Sequence, residues 1–236
     1  LPHRRRSSMG VVPQEIALYD MLTATANLHV FGAVQGLTGV QLRERIGFVL
    51  DAVGLTERAH SRVKTFSGGM KRRLNLAVGL LSDPEVLLLD EPTVGVDPQS
   101  RASIFALLRS LNESGKTILY TTHYMEEAER LCGRIGILDH GQLLAEGTLT
   151  ELVEKVELPR TIRVSGTAFM ESPPKLKSAA HRATHDAVEY IPRDPSQLGA
   201  VVRELEESRT VYDRLEVIGP NLETLFLQLT GRELRN

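Results

Sequence analysis

The chain has 236 residues, of which 42% are hydrophobic, and this composition is that of a globular protein with a buried core. Residues 1–154 hold 16 basic and 18 acidic side chains and residues 155–236 hold 12 of each, so neither region is polarised for nucleic acid. The single Cys132 excludes an internal disulfide, and no apolar run reaches the ~20 residues of a membrane span.

Hydrophobic periodicity predicts alternating strands and helices in the first 154 residues. A short strand ends at Pro13-Gln14, and the strand at residues 86–89 is uniformly apolar, as in a strand buried on both faces of a parallel sheet. This second strand ends in Asp90-Glu91. We predict strands at residues 9–12, 86–89 and 117–121, and helices within residues 23–31, 42–53, 70–81 and 98–114.

Residues 86–122 form a strand–helix–strand unit, which predicts a right-handed crossover between parallel strands. Further along, residues 134–145 predict a hairpin that turns at Asp139-His140-Gly141. Thr148 and Glu151 then form a capping box for the helix that leads out of this region.

The rest of the chain predicts a second, smaller domain. Residues 154–159 are a charged hinge, and residues 166–187 are interpreted as a loop because they carry Pro173-Pro174 and scattered polar residues. We therefore predict two domains, at residues 1–154 and 155–236. The smaller one is predicted to have strands around residues 162–164, 188–190 and 215–217 and helices within 198–205 and 222–229, the last capped by Asn221.

Ser67-Gly68-Gly69 stands at the start of a predicted helix. Ser67 is placed as an N-cap, and the glycines let backbone N–H groups approach an anion at the positive end of the helix, so a phosphate fits there. Taken alone, the tripeptide also describes an ordinary capped helix after a glycine turn. The basic run that follows, residues 71–73, has no interleaved aromatics and is interpreted as a solvated face.

Asp90 and Glu91 follow a buried strand at the edge where open α/β sheets bind ligands. The first carboxylate can hold Mg²⁺ through water and the second can polarise an attacking water, as phosphoryl transfer requires. Because successive strand residues point to opposite faces, the two roles must divide at the strand end. The alternative is a charged strand terminus before a proline turn.

His123 closes the next strand at the same edge, where it can donate a hydrogen bond to a γ-phosphate. A lone histidine is more often structural. Gln14 can contact a metal-bound water or simply cap a turn, and by itself it favours neither.

Taken together, and in the order in which they occur along the chain, these motifs resemble those of the ATP-binding subunits of ABC transporters, and the resemblance covers most of residues 9–153. The Met-ended signature loop is similar to that of ABC-2 type exporters of drugs, antibiotics and lipids. Five motifs match: the Q-loop at 12–15, the signature loop at 66–70, the Walker B strand at 87–93, the D-loop at 95–98 and the H-loop at 121–123.

The resemblance implies an α/β fold, with a P-loop-NTPase-like ABC ATPase core, a helical subdomain and a small α+β C-terminal domain. Residues 220–231 are similar to the accessory domain of ABC-2 exporter ATPases. The implied function is ATP hydrolysis that powers an exporter, with ATP and Mg²⁺ as cofactors. The implied site residues are Glu91 and His123 for catalysis, Asp90 and Gln14 for the metal, and Gln14, Ser67, Gly68, Gly69 and Asp97 for ATP.

The resemblance also implies partners. Ser67, Gly68 and Gly69 would bind the γ-phosphate of ATP held by a second copy, so hydrolysis would need a head-to-tail dimer, with Asp97 linking its two sites. Gln14 would report ligand status to an ABC-2 type transmembrane permease. The protein is then expected in the cytoplasm, on the inner face of the membrane through that permease.

The P-loop, Gly-x4-Gly-Lys-Ser/Thr, is absent from the sequence. Only nine residues, Leu1–Met9, precede the Q-loop strand, whereas a strand, P-loop and helix that return to a parallel strand need ~30 or more. We therefore expect a chain truncated before the Q-loop, whose core lacks its first strand and P-loop. We expect such a chain to be inactive alone and to expose apolar sheet surface around residues 86–89.

Two alternatives remain at this point. The first is a non-transport ABC ATPase acting on DNA or ribosomes, but the chain has neither a long coiled coil nor a second cassette with a basic linker. The second is a degenerate, non-hydrolytic subunit that lends only its signature loop to a partner. Glu91 and His123 argue against this reading, since such a donor needs neither.

Overall fold

The computed structural model of the chain describes residues 9–155 and 160–230. Its internal contacts divide the chain into two compact units, Leu1–Leu131 and Cys132–Asn236. Each unit has a sheet and a hydrophobic core of its own.

The sheet of the first unit has three parallel strands in the order β1-β2-β3, and the sequence predicts these strands and their parallel pairing. Because the strands are parallel and in register, with Val12 opposite Leu89 and Asp90 opposite Thr121, their carboxyl ends meet at one edge. The strands are β1 (Met9–Val12), β2 (Val86–Asp90) and β3 (Thr117–Thr121).

Among the described residues of this unit, five helices accompany the sheet, and the first three pack on one another in a helical subdomain. Thr23 caps the first helix, its hydroxyl accepting a hydrogen bond from the Ala26 amide at 3.1 Å. The fifth helix was not predicted, because seven residues with three acids are too short and too polar to show a helical period. The helices are α1 (Ala24–Val34), α2 (Gly39–Ala52), α3 (Gly68–Leu80), α4 (Pro98–Glu113) and α5 (Met125–Leu131).

Helix α3 lies directly against β1 because glycines face each other at the contact. A Cβ on Gly10 would overlap the carbonyl oxygen of Gly79, and a Cβ on Gly79 would lie 2.5 Å from Val12 Cγ2. Side chains at either position would force the helix away from the strand. This close approach brings the middle of α3 to the residues that follow β1.

The two faces of the sheet differ in burial. Val12, Leu87 and Leu89 are buried in the core, while Val11 and Leu119, 58% and 60% exposed, point to the other face. The apolar exposure expected around residues 86–89 thus lies mainly on the flanking strands. Leu87 and Leu89 are not exposed to solvent, because α3 and its neighbours cover their face of the sheet.

The second unit begins with the predicted hairpin of β4 (Ile135–Asp139) and β5 (Gln142–Gly147). His140 and Gly141 both have positive φ, 47° and 77°, as a tight two-residue turn requires. The capping box of α6 (Leu149–Lys155) is present in both directions, with the Thr148 amide on Glu151 Oε2 at 2.9 Å and the Glu151 amide on Thr148 Oγ1 at 3.2 Å.

A four-stranded antiparallel sheet in the order β7-β8-β6-β9 completes the second unit. Phe169 and Tyr190 pack edge to face in its core, with ring centroids 6.2 Å apart. The elements are β6 (Thr161–Ser165), α7 (Thr167–Glu171), β7 (Ala179–Ala183), β8 (Val188–Pro192), α8 (Leu198–Glu207), β9 (Arg214–Ile218) and α9 (Leu222–Thr230).

Residues 166–187 are not a loop throughout, because they contain α7 and β7. Strand β7 was missed because its sequence, Ala-Ala-His-Arg-Ala, has no apolar alternation, and its pairing with β8 supplies the missing support. The contacts also divide the chain before the hairpin rather than at residues 154–155, since β5 contacts α6 and α6 contacts α9. Residues 156–159 of the predicted hinge lie outside the described residues.

Candidate active site

Three of the predicted site residues meet at the carboxyl edge of the parallel sheet. Gln14 Nε2 donates a hydrogen bond to Glu91 Oε2 at 3.0 Å, and His123 Nδ1 lies 3.1 Å from Glu91 Oε1. The Glu91 carboxylate is therefore held between the loop after β1 and the loop after β3. This convergence follows from parallel strands whose carboxyl ends share an edge.

A left-handed backbone at Glu91 separates its role from that of Asp90. Glu91 has φ +43°, and its amide donates to both the carbonyl oxygen and the hydroxyl of Thr121, each at 3.1 Å. The same Thr121 hydroxyl donates to Asp90 Oδ1 at 2.6 Å. One threonine thus fixes both acids, and the turn at Glu91 directs the two carboxylates to different partners.

A buried carboxylate, that of Glu127 on α5, joins the loops behind these residues. Glu127 is 3% exposed and accepts hydrogen bonds from Thr93 Oγ1 at 2.8 and 2.9 Å, from Tyr120 OH at 2.7 Å and from Thr122 Oγ1 at 3.0 Å. Arg101 Nε lies 3.7 Å from Glu127 Oε1. Thr93 follows Glu91 and Thr122 precedes His123, so Glu127 fixes the spacing of the two loops.

Glu127 was not predicted as a site residue, because it lies on a short helix and not at the end of a strand. The available signal was the pair of hydroxyl residues, Thr93 and Thr122, standing beside predicted site residues and requiring a buried acceptor.

The interpretation of residues 71–73 as a solvated face is wrong. Arg72 is 4% exposed, and its Nη1 donates to the carbonyl oxygens of Gln14 at 2.7 Å and Pro13 at 3.2 Å. Arg73 Nη1 donates to the carbonyl oxygens of Val53 and Gly54 at 3.0 and 3.3 Å. The helical spacing could have indicated that Arg72 is buried, because it lies three residues after Gly69 and four before Leu76, on the buried face of α3.

Burial lowers the pKa of Arg72, and the nearby Glu91 carboxylate and Tyr120 phenol oppose that effect. The guanidinium remains charged, since the ordinary pKa of arginine lies so far above neutrality. Asn75, one turn further along α3, adds a hydrogen bond from Nδ2 to the Pro13 carbonyl oxygen at 3.3 Å.

The signature residues lie at a junction of two helix N-termini. Ser67 caps α3 by accepting the Met70 amide at 3.2 Å, and Asp97 caps α4 by accepting the Ser100 amide at 2.9 Å. Hydrogen bonds from the Ser100 amide and hydroxyl lower the pKa of Asp97. A Cβ on Gly69 would overlap Ser100 Oγ and lie 2.7 Å from Asp97 Oδ2, so the two helices meet there without room for a side chain.

A family profile of ABC transporters matches residues 2–94. The linearmycin resistance ATP-binding protein LnrL of Bacillus subtilis (strain 168) is 45% identical over 241 residues, covering 99% of this chain and 78% of that protein. The Nod factor export ATP-binding protein I of Ralstonia nicotianae is 41% identical over 237 residues, covering 99% and 74%. The chain belongs to the ATP-binding proteins of ABC transporters, in the group of export and resistance ATPases that includes these relatives.

The fold is also that of solved ATP-binding cassettes. A dimeric structure of the cassette MJ0796 in a post-hydrolysis state, bound to ADP and Pi, superimposes with a TM-score of 0.55 and 30% identity. The match covers 62% of this chain and 65% of that one. Within residues 9–155 and 160–230, no helix is both long enough and apolar enough to cross a membrane.

Proposed function

We propose that this chain is the ATP-hydrolysing subunit that powers an ABC-2 type exporter. The single observation that supports this most directly is the Glu91 carboxylate held between Gln14 and His123. A carboxylate fixed on both oxygens at a strand edge is oriented to accept a proton from water. The relatives named for linearmycin resistance and Nod factor export favour a drug-, antibiotic- or lipid-like cargo.

In this proposal Glu91 is the general base and His123 contacts the transferred phosphoryl group. The residues present fit Mg²⁺, because Asp90 offers an exposed carboxylate and Gln14 uses its amide nitrogen on Glu91, which leaves the amide oxygen for a metal. When bound, Mg²⁺ neutralises charge on the β- and γ-phosphates of ATP. Asp90 and Gln14 would hold it, and Thr121 would keep Asp90 oriented through its 2.6 Å hydrogen bond.

We further propose that Ser67, Gly68 and Gly69 bind ATP held by a second subunit in a head-to-tail dimer, with Asp97 at the junction between sites. The glycines keep the N-terminus of α3 free of side chains, and the positive end of the helix favours phosphate. The dimeric state of the related cassette supports this arrangement.

The proposed setting is the cytoplasmic face of a membrane, where the subunit docks on a separate ABC-2 type permease. The first compact unit would form the ATPase part, and the sheet of β6–β9 in the second unit an accessory domain that stabilises or regulates the dimer. The balanced charge of both parts gives no support to a nucleic-acid partner.

The 236-residue chain is proposed not to turn over ATP by itself. Its sequence has no P-loop, so the residues around Glu91 offer two acids and neutral hydrogen bonds to a highly charged anion. Neutral hydrogen bonds contribute ~0.5–1.5 kcal/mol each, whereas micromolar binding requires ~8 kcal/mol. Calorimetric titration with Mg-ATP and a phosphate-release assay on this chain test the statement, and micromolar binding with steady release would contradict it.

The test of the catalytic assignment uses this chain fused behind the P-loop segment of an ABC relative, called the P-loop fusion below. Glu91→Gln should retain ATP binding and stall turnover, because the amide is similar in size but cannot accept the proton. The ATP-bound dimer should accumulate in size-exclusion chromatography. Glu126→Gln, an exposed acid on α5, is the matched control, and hydrolysis by Glu91→Gln at the parent rate would remove Glu91 from its role.

A further inference from the structure

Arg72 connects the helix that carries the signature residues to the loop that carries Gln14. It leaves α3 five residues after Ser67, and its Nη1 donates to the carbonyl oxygens of Pro13 and Gln14. The side chain of that same Gln14 donates to Glu91 at 3.0 Å. A continuous path of contacts therefore runs from α3 through Arg72 and Gln14 to Glu91.

The path is stiff at its central step. Arg72 and Asn75 are 4% and 3% exposed, and both donate to the Pro13 carbonyl oxygen, so two turns of α3 hold the same backbone segment. Buried hydrogen bonds from a charged donor are stronger than neutral ones and costly to leave unmade. The segment at Pro13-Gln14 is exposed and outside any strand or helix, and the side chains of α3 hold its backbone carbonyl oxygens.

Arg73 shows that hydrogen bonds to two carbonyl oxygens do not by themselves define this role. It also directs Nη1 to two successive carbonyl oxygens, but those belong to Val53 and Gly54 at the end of α2. Arg73 therefore stabilises the helical subdomain, while Arg72 reaches the site. The two neighbouring arginines make the same kind of hydrogen bond, but Arg72 binds the loop that carries Gln14 and Arg73 binds the end of α2.

We propose that Arg72 is a positioning residue that sets the hydrogen bond between Gln14 and Glu91 according to the position of α3. Any displacement of α3 relative to the sheet moves the donor of two carbonyl bonds and with them the backbone of Gln14. The consequence for turnover rests on the proposed function, whereas the structural part does not.

The structural part is tested by NMR on the 236-residue chain, following the side-chain amide of Gln14, assigned by its loss in Gln14→Ala. In the parent chain this amide should be ordered. In Arg72→Gln its order parameter should fall below about 0.6, the range of flexible groups. Arg72→Lys keeps the charge but not the planar fork, and should restore part of the order.

Arg73→Gln is the control, since it removes the same kind of double carbonyl bond elsewhere and should leave Gln14 ordered. Comparable destabilisation of both variants in urea would show that loss of stability is not what loosens Gln14. Where Arg72→Gln does not fold, Arg72→Lys against Arg73→Lys decides. Gln14 remaining ordered in the Arg72 variants, or loosened equally in the Arg73 variants, would overturn the inference.

The functional part is measured in the P-loop fusion. Arg72→Gln should lower kcat about ten-fold while KM for ATP changes less than about two-fold, because a displaced Gln14 impairs the catalytic step more than nucleotide binding. Arg73→Gln should retain both parameters within about two-fold. An unchanged kcat in Arg72→Gln overturns the link to turnover. A parent fusion that hydrolyses no ATP would instead contradict the proposed function, and the NMR result would still decide the role of Arg72.

Discussion

The strand edge around Glu91 and the helix junction around Gly69 are built by opposite means. At the strand edge, side chains hold one another: both carboxylate oxygens of Glu91 and of Glu127, and one oxygen of Asp90, have hydrogen-bond partners within the same unit. At the junction, the contact depends on a missing side chain, because Gly69 lies against Asp97 and Ser100. The first region is determined by side-chain chemistry and the second by backbone space.

The two regions are therefore destabilised by opposite kinds of substitution. A polar network fails when a partner is removed and leaves buried groups without hydrogen bonds. A close backbone contact fails when an atom is added. Substitutions in the two regions distinguish these modes, and removal of the buried acid should have the largest effect.

Glu127→Ala should lower the free energy of unfolding by about 3 kcal/mol, because it removes the acceptor of the buried Thr93 hydroxyl and of the partly buried hydroxyls of Tyr120 and Thr122. Urea denaturation followed by circular dichroism measures the loss. Glu126→Ala on the exposed face of the same helix should stay within about 0.5 kcal/mol of the parent. Equal effects at the two positions would show that the network does not stabilise the strand edge.

Gly69→Ala should lower the free energy of unfolding by about 1–3 kcal/mol, the usual cost of forcing an extra carbon into a filled contact. Gly68→Ala is its control, because the nearest atom to a Cβ there is the Gly95 carbonyl oxygen at 3.8 Å, an ordinary contact distance. Both variants add one methyl group to the same helix start. If Gly68→Ala were the more destabilising of the two, the junction would not be as closely packed as we describe.

Asp97→Asn should make the chain less sensitive to acid, with the smallest effect of the three. The hydrogen bonds from Ser100 lower the pKa of Asp97 in the folded state, so its stabilising contribution is present above the unfolded pKa of about 3.9 and is lost as pH falls through the lower folded value. The measurement compares urea midpoints at pH 5 and pH 3. The parent chain should lose more stability than Asp97→Asn over that interval, and parallel losses would rule out a contribution from this cap.

The residues at the strand ends could be predicted from sequence because local pattern determined them. The apolar run before Asp90 defines a buried strand, and parallel pairing then brings Gln14, Glu91 and His123 to one edge. The helix cap at Ser67 was likewise predicted, because a serine followed by glycines before an apolar helical period is typical of a helix start.

The positions that sequence reasoning missed depend on contacts between distant segments. Arg72 looks like part of a charged run until the carbonyl oxygens of Pro13 and Gln14, far away in sequence, are seen to accept its hydrogen bonds. Glu127 sits in a helix too short to show a period. The division of the chain at Leu131 similarly follows from how the hairpin and α6 pack with α9, which no local pattern records.

The left-handed backbone of Glu91 places stability and chemistry in conflict at one residue. A non-glycine residue with φ +43° is strained by roughly 1–2 kcal/mol, whereas glycine adopts that conformation freely and asparagine more easily than most. A selection for thermostability alone would therefore favour replacing the proposed catalytic base. Stabilised variants recovered at position 91 should be those that can no longer activate water, so a screen that scores heat resistance without activity would discard the residue the site is built around.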